Sequence, residues 1–409
     1  MVEPKARGLQ PFKMSKSTGI NNVIKAEKCK PEELQTATDV DINDSRQIIR
    51  RQGMDKVYSG SVHSLASDGT FGSATFMVFR EGANLNRLNS DYSASLLRNG
   101  LTRAKWMKYL SLNNLLYYTD ESVTGITDGV TSRSWGLTVP TQPTLAQTTG
   151  NLFSGRYLCS LTYVRNDGQE SGAPRAVYID LTSNNSGITI SGIPTSSDAT
   201  VSSVNVYLST RNGEVLYLAK TVANGTGSTT YSGDTKEFSL ELATLMKGPP
   251  HAGHMIQFYN GRIYIAKDNG VWYTEPYNYE LMNLAHGFIP FPDRVTLFAP
   301  VKGGIWASYK KGKTFFLQGD DPAKFVTDWK KEIAAYEGSQ VQDDIRIKGE
   351  TVGGWYWMAY DGIYIVLDGG NLLNITYNRY RVGSGTSNIC VSTIKRTEDK
   401  SKQYVSVLY

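Results

Sequence analysis

Short runs of apolar and aromatic residues, each closed by a polar pair carrying asparagine or glycine, recur along this chain. The clearest set lies in residues 251–276. There Met255-Ile256-Gln257-Phe258-Tyr259 and Arg262-Ile263-Tyr264-Ile265-Ala266 flank Asn260-Gly261, the pair that most readily supplies the positive φ angles of a two-residue type I′ turn. The pattern predicts a hairpin. A third run, Val271-Trp272-Tyr273-Thr274, follows the Asn269-Gly270 pair and extends the hairpin into an up-and-down meander. Three short aromatic strands cannot cover their own faces, so like neighbours stacked around an axis are expected, as in the blades of a β-propeller.

Echoes of this unit lie on both sides of it. Residues 105–109 and 115–119 flank Asn113-Asn114, and residues 74–79 and 83–88 offer a looser copy. Downstream, residues 304–309 and 314–319 flank Lys311-Gly312-Lys313, and residues 356–360, 363–366 and 372–376 are punctuated by Asp361-Gly362 and Gly369-Gly370. The spacing is irregular, roughly 35–50 residues, which is the range of blade repeats. These are five blades; strands at 388–394 and 403–408 are expected to pair with an N-terminal hairpin and close a sixth, which removes exposed sheet edges.

Between residues 139 and 246 the texture changes. Pro140-Thr141-Gln142-Pro143-Thr144 reads as a stiff linker, and the chain beyond Gly150 is rich in Ser and Thr with short alternating runs at 155–164, 176–181, 187–191, 204–209, 215–222 and 229–231. About seven short strands without a cysteine pair fit a fibronectin-III/immunoglobulin-like β-sandwich. The predicted fold is therefore all-β, a β-propeller of about six blades interrupted by an inserted sandwich. The predicted divisions are a basic arm at 1–30, a first propeller part at 31–149, the sandwich at 150–247 and a second propeller part at 248–409, closed with the N-terminal strands. Within the first part, Pro31-Glu32-Glu33-Leu34 reads as a single helical turn with proline at its start.

Composition agrees with this picture. The 409 residues include 25 Tyr and 39 Gly, and 20% are charged, a balance that suits aromatic strands and tight turns. No run approaches the ~18 consecutive apolar residues of a membrane span, and the N-terminus lacks a signal-peptide pattern; no stable membrane insertion is expected. Cys29, Cys159 and Cys390 are odd in number and far apart, as reduced thiols would be. The net charge is +5, and Lys5, Arg7, Lys13, Lys16, Lys25, Lys28 and Lys30 against Glu3 and Glu27 account for all of it. A balanced remainder argues against a dedicated duplex-binding face, while the arm is either a solvated tail or a contact for an acidic neighbour subunit.

Candidate chemistry is sparse. Asp39, Asp41 and Asn43 imitate the opening of a calcium loop, but Asp44 stands where that loop needs glycine and Arg50 where it needs glutamate, so a hairpin is expected. Ser67-Asp68-Gly69-Thr70-Phe71 resembles a shortened sialidase Asp box and reads as a polar turn. Residues 307–314 match a relaxed phosphate-loop pattern through Lys310-Lys311-Gly312-Lys313-Thr314, yet Phe315-Phe316-Leu317 after it predicts a strand where that loop needs a helix. His251 and His254 have no cysteine or carboxylate beside them and read as a turn pair rather than a zinc site. No catalytic, cofactor-binding or metal-ligating residue is assigned, and no enzyme activity is expected.

Three motifs carry a resemblance. Gly19-Ile20-Asn21-Asn22 followed by Asp39-Val40-Asp41-Ile42 and Ile48-Ile49-Arg50-Arg51-Gln52-Gly53 is one. Gly155-Arg156-Tyr157 with residues 161–173 is another, and Gly261-Arg262-Ile263-Tyr264-Ile265-Ala266 with Tyr273-Thr274-Glu275-Pro276 is the third. Together they resemble tailed-phage virion proteins, in particular the tail hub or nozzle proteins of short-tailed phages. The resemblance covers most of the chain from Gly19 onward. It implies a hexameric homo-oligomeric ring below the portal and adaptor, possible contact with tail fibres or spikes, passage of double-stranded DNA without sequence-specific binding, assembly in the bacterial host cytoplasm and residence in the virion tail. The shorter length and the missing large tip domain depart from that group. Two other readings stand beside it: a receptor- or glycan-binding tail protein using the sandwich or Tyr277-Asn278-Tyr279, and a glycan-degrading propeller enzyme, which would need acids and arginines around the axis.

Overall fold

The computed structural model describes residues 16–408 except 44, 52, 54, 68–75, 103–104, 237, 348–349, 383–388 and 397–401. Lys5, Arg7 and Lys13 of the basic arm and most of the Asp-box-like turn lie outside the described residues. The protein is all-β, with propeller-type antiparallel meanders interrupted by a two-sheet sandwich. It divides into two compact units, residues 58–292 and residues 1–57 with 293–409.

The chain opens with β1 (Gly19–Ile20) and β2 (Glu33–Leu34), paired in parallel, and the hairpin of β3 (Val40–Ile42) and β4 (Ile48–Arg50). The expected helical turn at residues 31–34 is not formed. A 3-10 turn lies earlier, at Ala26–Lys28, while the Glu33 carboxylate accepts from the Lys30 N–H at 3.1 Å and the Asn21 side chain at 3.2 Å. These bonds hold Glu33 and Leu34 extended beside β1.

The unit of residues 58–292 begins with a meander of β5 (Val62–Ser67), β6 (Met77–Glu81), β7 (Asn84–Leu88) and β8 (Ala94–Arg98). A second comprises β9 (Lys108–Leu112), β10 (Leu115–Thr119), β11 (Thr124–Thr127) and β12 (Ser132–Arg133). Asn113 and Asn114 turn β9 into β10 with φ of 53° and 60°, as a type I′ turn requires. β9 starts three residues later than expected: Trp106 is not in the strand but lies exposed with its ring 5.1 Å from that of His63.

The sandwich follows as β13 (Thr144–Leu152), β14 (Gly155–Arg165), β15 (Val177–Leu181), β16 (Ser186–Ser191), β17 (Val201–Ser209), β18 (Leu216–Ala223) and β19 (Ser228–Tyr231). One sheet has the order β13-β16-β19 and the other β15-β14-β17-β18. Leu152, Tyr157, Leu161, Ile188, Ile190, Val204 and Val206 fill the space between them. β13 was hidden from sequence by its polar residues, and it places the start of the sandwich near Thr144, inside the segment read as a linker and ahead of Gly150.

The chain then returns through β20 (Lys247–Gly248) to the meander of β21 (Met255–Tyr259), β22 (Arg262–Lys267), β23 (Gly270–Glu275) and β24 (Asn278–Asn283), with β25 (Phe288–Pro290) against β23. Asn260 and Gly261, at φ of 43° and 74°, make the expected turn with Tyr259 opposite Arg262. The next turn is Asp268-Asn269, not Asn269-Gly270: Lys267 pairs with Gly270, and Asp268 takes the positive φ.

The other unit continues with the meander of β26 (Val295–Val301), β27 (Gly304–Tyr309), β28 (Thr314–Gln318) and β29 (Val326–Lys331). The next contains β30 (Val341–Ile347), β31 (Glu350–Ala359), β32 (Gly362–Leu367) and β33 (Asn371–Asn374). Between these sheets Trp306, Trp357, Phe316 and Leu297 are buried together, and the Trp355 indole donates to the Pro300 carbonyl at 2.7 Å. β34 (Cys390–Arg396) and β35 (Lys402–Leu408) form a final hairpin. Five meanders thus stand where the five sequence copies were expected. The sixth closure differs: β3-β4 and β34-β35 are separate two-stranded sheets.

Buried ion pairs fix how neighbouring elements meet. Arg80 on β6 and Asp120 after β10 are fully buried at 2.9 Å, and the same guanidinium donates to the carbonyls of Lys105, Gly82 and Thr102. Hydrogen bonds from both terminal nitrogens of the guanidinium offset part of the cost of burying this pair, while its buried Nε has no partner among the described residues. At the joint of the sandwich, Glu280 on β24 accepts from Arg165 on β14 through two bonds of 2.7 Å and from Arg133 on β12 at 3.0 and 2.9 Å. Burial pushes the Glu280 pKa up, but the bonds and charges of the two arginines outweigh it and leave the carboxyl below its ordinary value. A group with a depressed folded pKa binds fewer protons folded than unfolded, so its stabilisation is full above the unfolded value and is lost as pH falls through the folded one. Glu280→Gln is therefore expected to flatten the loss of stability below about pH 4.5. Chemical denaturation of both proteins between about pH 6 and pH 3 measures the two slopes; equal slopes would remove this role from Glu280.

Candidate assembly surface

Residues 18–22 and 379–381 meet within the unit of residues 1–57 and 293–409, and the first resemblance motif does the joining. The Asn22 amide N–H donates to the Arg379 carbonyl at 3.0 Å. Its side chain donates to the Arg381 carbonyl and accepts from the Arg381 N–H, both at 2.8 Å. Arg379 in turn donates to the Thr18 carbonyl at 2.9 Å. An asparagine side chain that both donates and accepts on one peptide imitates a strand neighbour, which fixes the position of the segment without a ladder. Asp41 on β3 pairs with Arg51 at 3.2 Å and with Lys395 on β34 at 3.4 Å. The two short hairpins therefore meet through side chains.

The C-terminal hairpin alternates between two faces. Tyr404, Leu408 and Cys390 turn inward onto Tyr336, Met358 and Val382. The Tyr404 ring stacks 6.1 Å from that of Tyr356, and its hydroxyl donates to the Ser339 carbonyl at 2.6 Å. Burial raises its pKa, against the opposing effect of the Ser392 and Ser406 hydroxyls. The outward face carries Val391, Val405 and Val407, with relative exposures of 40%, 39% and 54%. Val391 lies opposite Val407, and Thr393 opposite Val405. Beside them a cleft of about 840 Å³ is lined by Ile20, Val40, Ile42, Ile363, Ile375 and both valines of β35. Among the described residues the sheet of this hairpin has two strands, and at the start of β34 the Cys390 N–H donates to the Glu337 carbonyl at 2.8 Å.

A partly exposed apolar face beside a cleft whose lining also carries Asp41, Arg51 and Arg379 is a surface that a partner can cover. Burying the exposed part of each valine contributes on the order of 1 kcal/mol. The arrangement offers shape and apolar area rather than reactive groups.

Asn43 closes the β3-β4 turn by accepting from the Gln47 N–H at 2.8 Å, so this segment is a hairpin. Residues 307–314 run from β27 through a turn into β28, so no helix follows the phosphate-loop pattern. His251 lies edge-on to Trp272 at 4.7 Å, its pKa lowered by burial and by the charge of Lys267; His254 is buried and donates its backbone N–H to Ala266. Among the described residues no group of three or more His, Cys, Asp or Glu could hold a metal ion. The three cysteines are free thiols, and burial raises the Cys159 pKa to about 12. Tyr277 is 79% exposed at φ 58° beside Gly261, whereas Tyr279 packs against Tyr117 and Phe258. Asn22, Arg165, Glu280 and Arg133 were not assigned roles from sequence. The only signal for Asn22 and Arg165 was their place in the resemblance motifs.

No family model matches the chain, and no curated protein matches it. Among solved structures it is similar to BBS1N in complex with ARL6DN, at 9% identity and a TM-score of 0.34, covering 86% of this chain and 90% of that one. The extracellular domain of the putative hybrid two-component system BT4673 from B. thetaiotaomicron matches at 14% identity and a TM-score of 0.30, covering 86% of this chain and 38% of that one. Saccharomyces cerevisiae Sqt1 matches at 8% identity and a TM-score of 0.22, covering 72% and 93%.

If the outward face of β34-β35 is an interface, Val391→Asp with Val407→Asp is expected to abolish self-association while leaving the monomer within about 1 kcal/mol of its stability, because both positions are partly solvated and off the inner core. Sedimentation velocity at rising concentration, with thermal unfolding as the folding control, checks this. Unchanged association by the folded variant would place the interface elsewhere.

Proposed function

We propose that this chain is a structural subunit of a tailed-phage virion, a nozzle- or hub-type protein that closes a homo-oligomeric ring, hexameric by analogy, below the portal and adaptor. In this reading the ring forms part of the channel through which double-stranded DNA is ejected. The observation that carries it is the apolar outward face of β34-β35 beside the cleft lined by Ile20, Val40 and Ile375, which gives a monomer reason to recruit a second copy. A surface meeting a different surface of its neighbour generates a ring when the rotation closes. The three resemblance motifs supply the virion assignment. The near-neutral charge beyond residue 30 suits a passage that must not brake the duplex, since each lysine-phosphate contact releases counterions and adds affinity. No catalytic role is assigned.

A receptor-binding tail protein is the second reading, and the observation favouring it is Tyr277, held out from the β23-β24 turn. Cryo-electron microscopy of purified particles tests both. The ring reading expects this chain as a closed ring on the tail axis; its presence only as a peripheral appendage would select the second reading, and its absence from particles would overturn both.

A further inference from the structure

The turn that resembled a phosphate loop is part of a basic and aromatic surface. Lys310 and Lys311 are exposed on the β27-β28 turn, with Lys311 at φ 56°. In β29, opposite, Trp329 pairs with Phe315 and Lys331 with Thr314 across a register shift at that step. Lys313, Trp329, Lys330, Lys331, Glu332 and Ile333 line a shallow depression of about 560 Å³. Trp329 is 58% exposed; the Lys313 ammonium sits 5.5 Å from its ring centre, and Phe315 lies 5.0 Å away.

Five lysines here face three carboxylates, and each carboxylate is already engaged. Lys313 holds Glu332 at 2.6 Å, Lys330 holds Asp328 at 2.5 Å and Lys331 holds Asp361 at 2.8 Å while also donating to the Tyr364 hydroxyl. Among the described residues no carboxylate pairs with Lys310 or Lys311. The excess positive charge is local, although the chain beyond residue 30 is balanced as a whole.

We propose that the Lys310-Lys313 turn and Trp329 bind an anionic glycan, with a sugar ring laid on the exposed indole and phosphate or carboxylate groups held by Lys310 and Lys311. Basic clusters of this kind serve nucleic acids or acidic saccharides. Single-stranded nucleic acid is read by successive aromatic platforms along a basic groove, whereas this surface offers one tryptophan in one short depression. A phosphate-loop nucleotide site is excluded by the strand that follows the turn. The proposal does not depend on ring formation, which the valine face governs.

The test measures binding of a phosphorylated lipopolysaccharide core oligosaccharide, the same oligosaccharide after dephosphorylation, and a dT12 oligonucleotide to the full chain by calorimetry at two salt concentrations. The expected result is salt-sensitive binding of the phosphorylated oligosaccharide, weakened about tenfold by Lys310→Ala with Lys311→Ala and about tenfold by Trp329→Ala. Dephosphorylation should reduce it at least as much. Both variants change exposed positions, and thermal unfolding confirms that they fold; Trp329→Phe keeps an aromatic face and should restore most of the binding lost in the alanine variant. Failure of the oligosaccharide to bind, tighter binding of dT12, or equal affinity in the folded variants would each overturn the proposal.

Discussion

Every meander in this protein has two faces and is too small to cover both. A sheet of a few short strands satisfies its central backbone groups and leaves its apolar side chains and outer edges to neighbours. In residues 58–292 that need is met where Leu116 and Tyr118 pack on Val78 and Leu85, and where Tyr117, Ile126 and Trp135 pack on Ile256, Ile263 and Ile265. In the other unit it is met where Trp306 and Phe316 pack against Trp355 and Trp357. Apolar contact is not directional, so the relative placement of sheets needs something more specific. Arg80 with Asp120, and Arg165 with Glu280 and Arg133, provide it: a displaced neighbour would leave a charge buried without its partner, which is among the most destabilising changes available.

That logic explains what could be read in the sequence. Sandwich strands emerged within a few residues because turns such as Arg211-Asn212-Gly213 fix where a strand stops. The β21-β22 hairpin followed from Asn260-Gly261 alone. Local pattern misled where polar or aromatic residues broke the usual association with strands: most of β13 was assigned no strand, and Trp106 looked like strand. The Arg165-Glu280 and Arg133-Glu280 partners are 115 and 147 residues apart, so no window of sequence contains them.

The candidate surface was legible only in part. Strands at the C-terminus were expected and are present, but their joining to the N-terminal hairpin was expected as a ladder. It occurs instead through the Asn22-Arg381 clasp and the Asp41-Lys395 pair, because β3 and β4 have three residues each and pair with one another. The consequence is an open hairpin whose outer valines remain in water. The lysine surface around Trp329 was hidden for a different reason: overall charge balance conceals a local excess.

In the proposed ring, the outward face of the C-terminal hairpin is covered by another copy of this chain. Hydrogen exchange followed by mass spectrometry, run below and above the concentration at which the protein associates, tests it most directly. Peptides spanning β34 and β35 are expected to gain protection on association while the inner strands β27 and β31 do not change. Association without added protection in β34-β35 would contradict it.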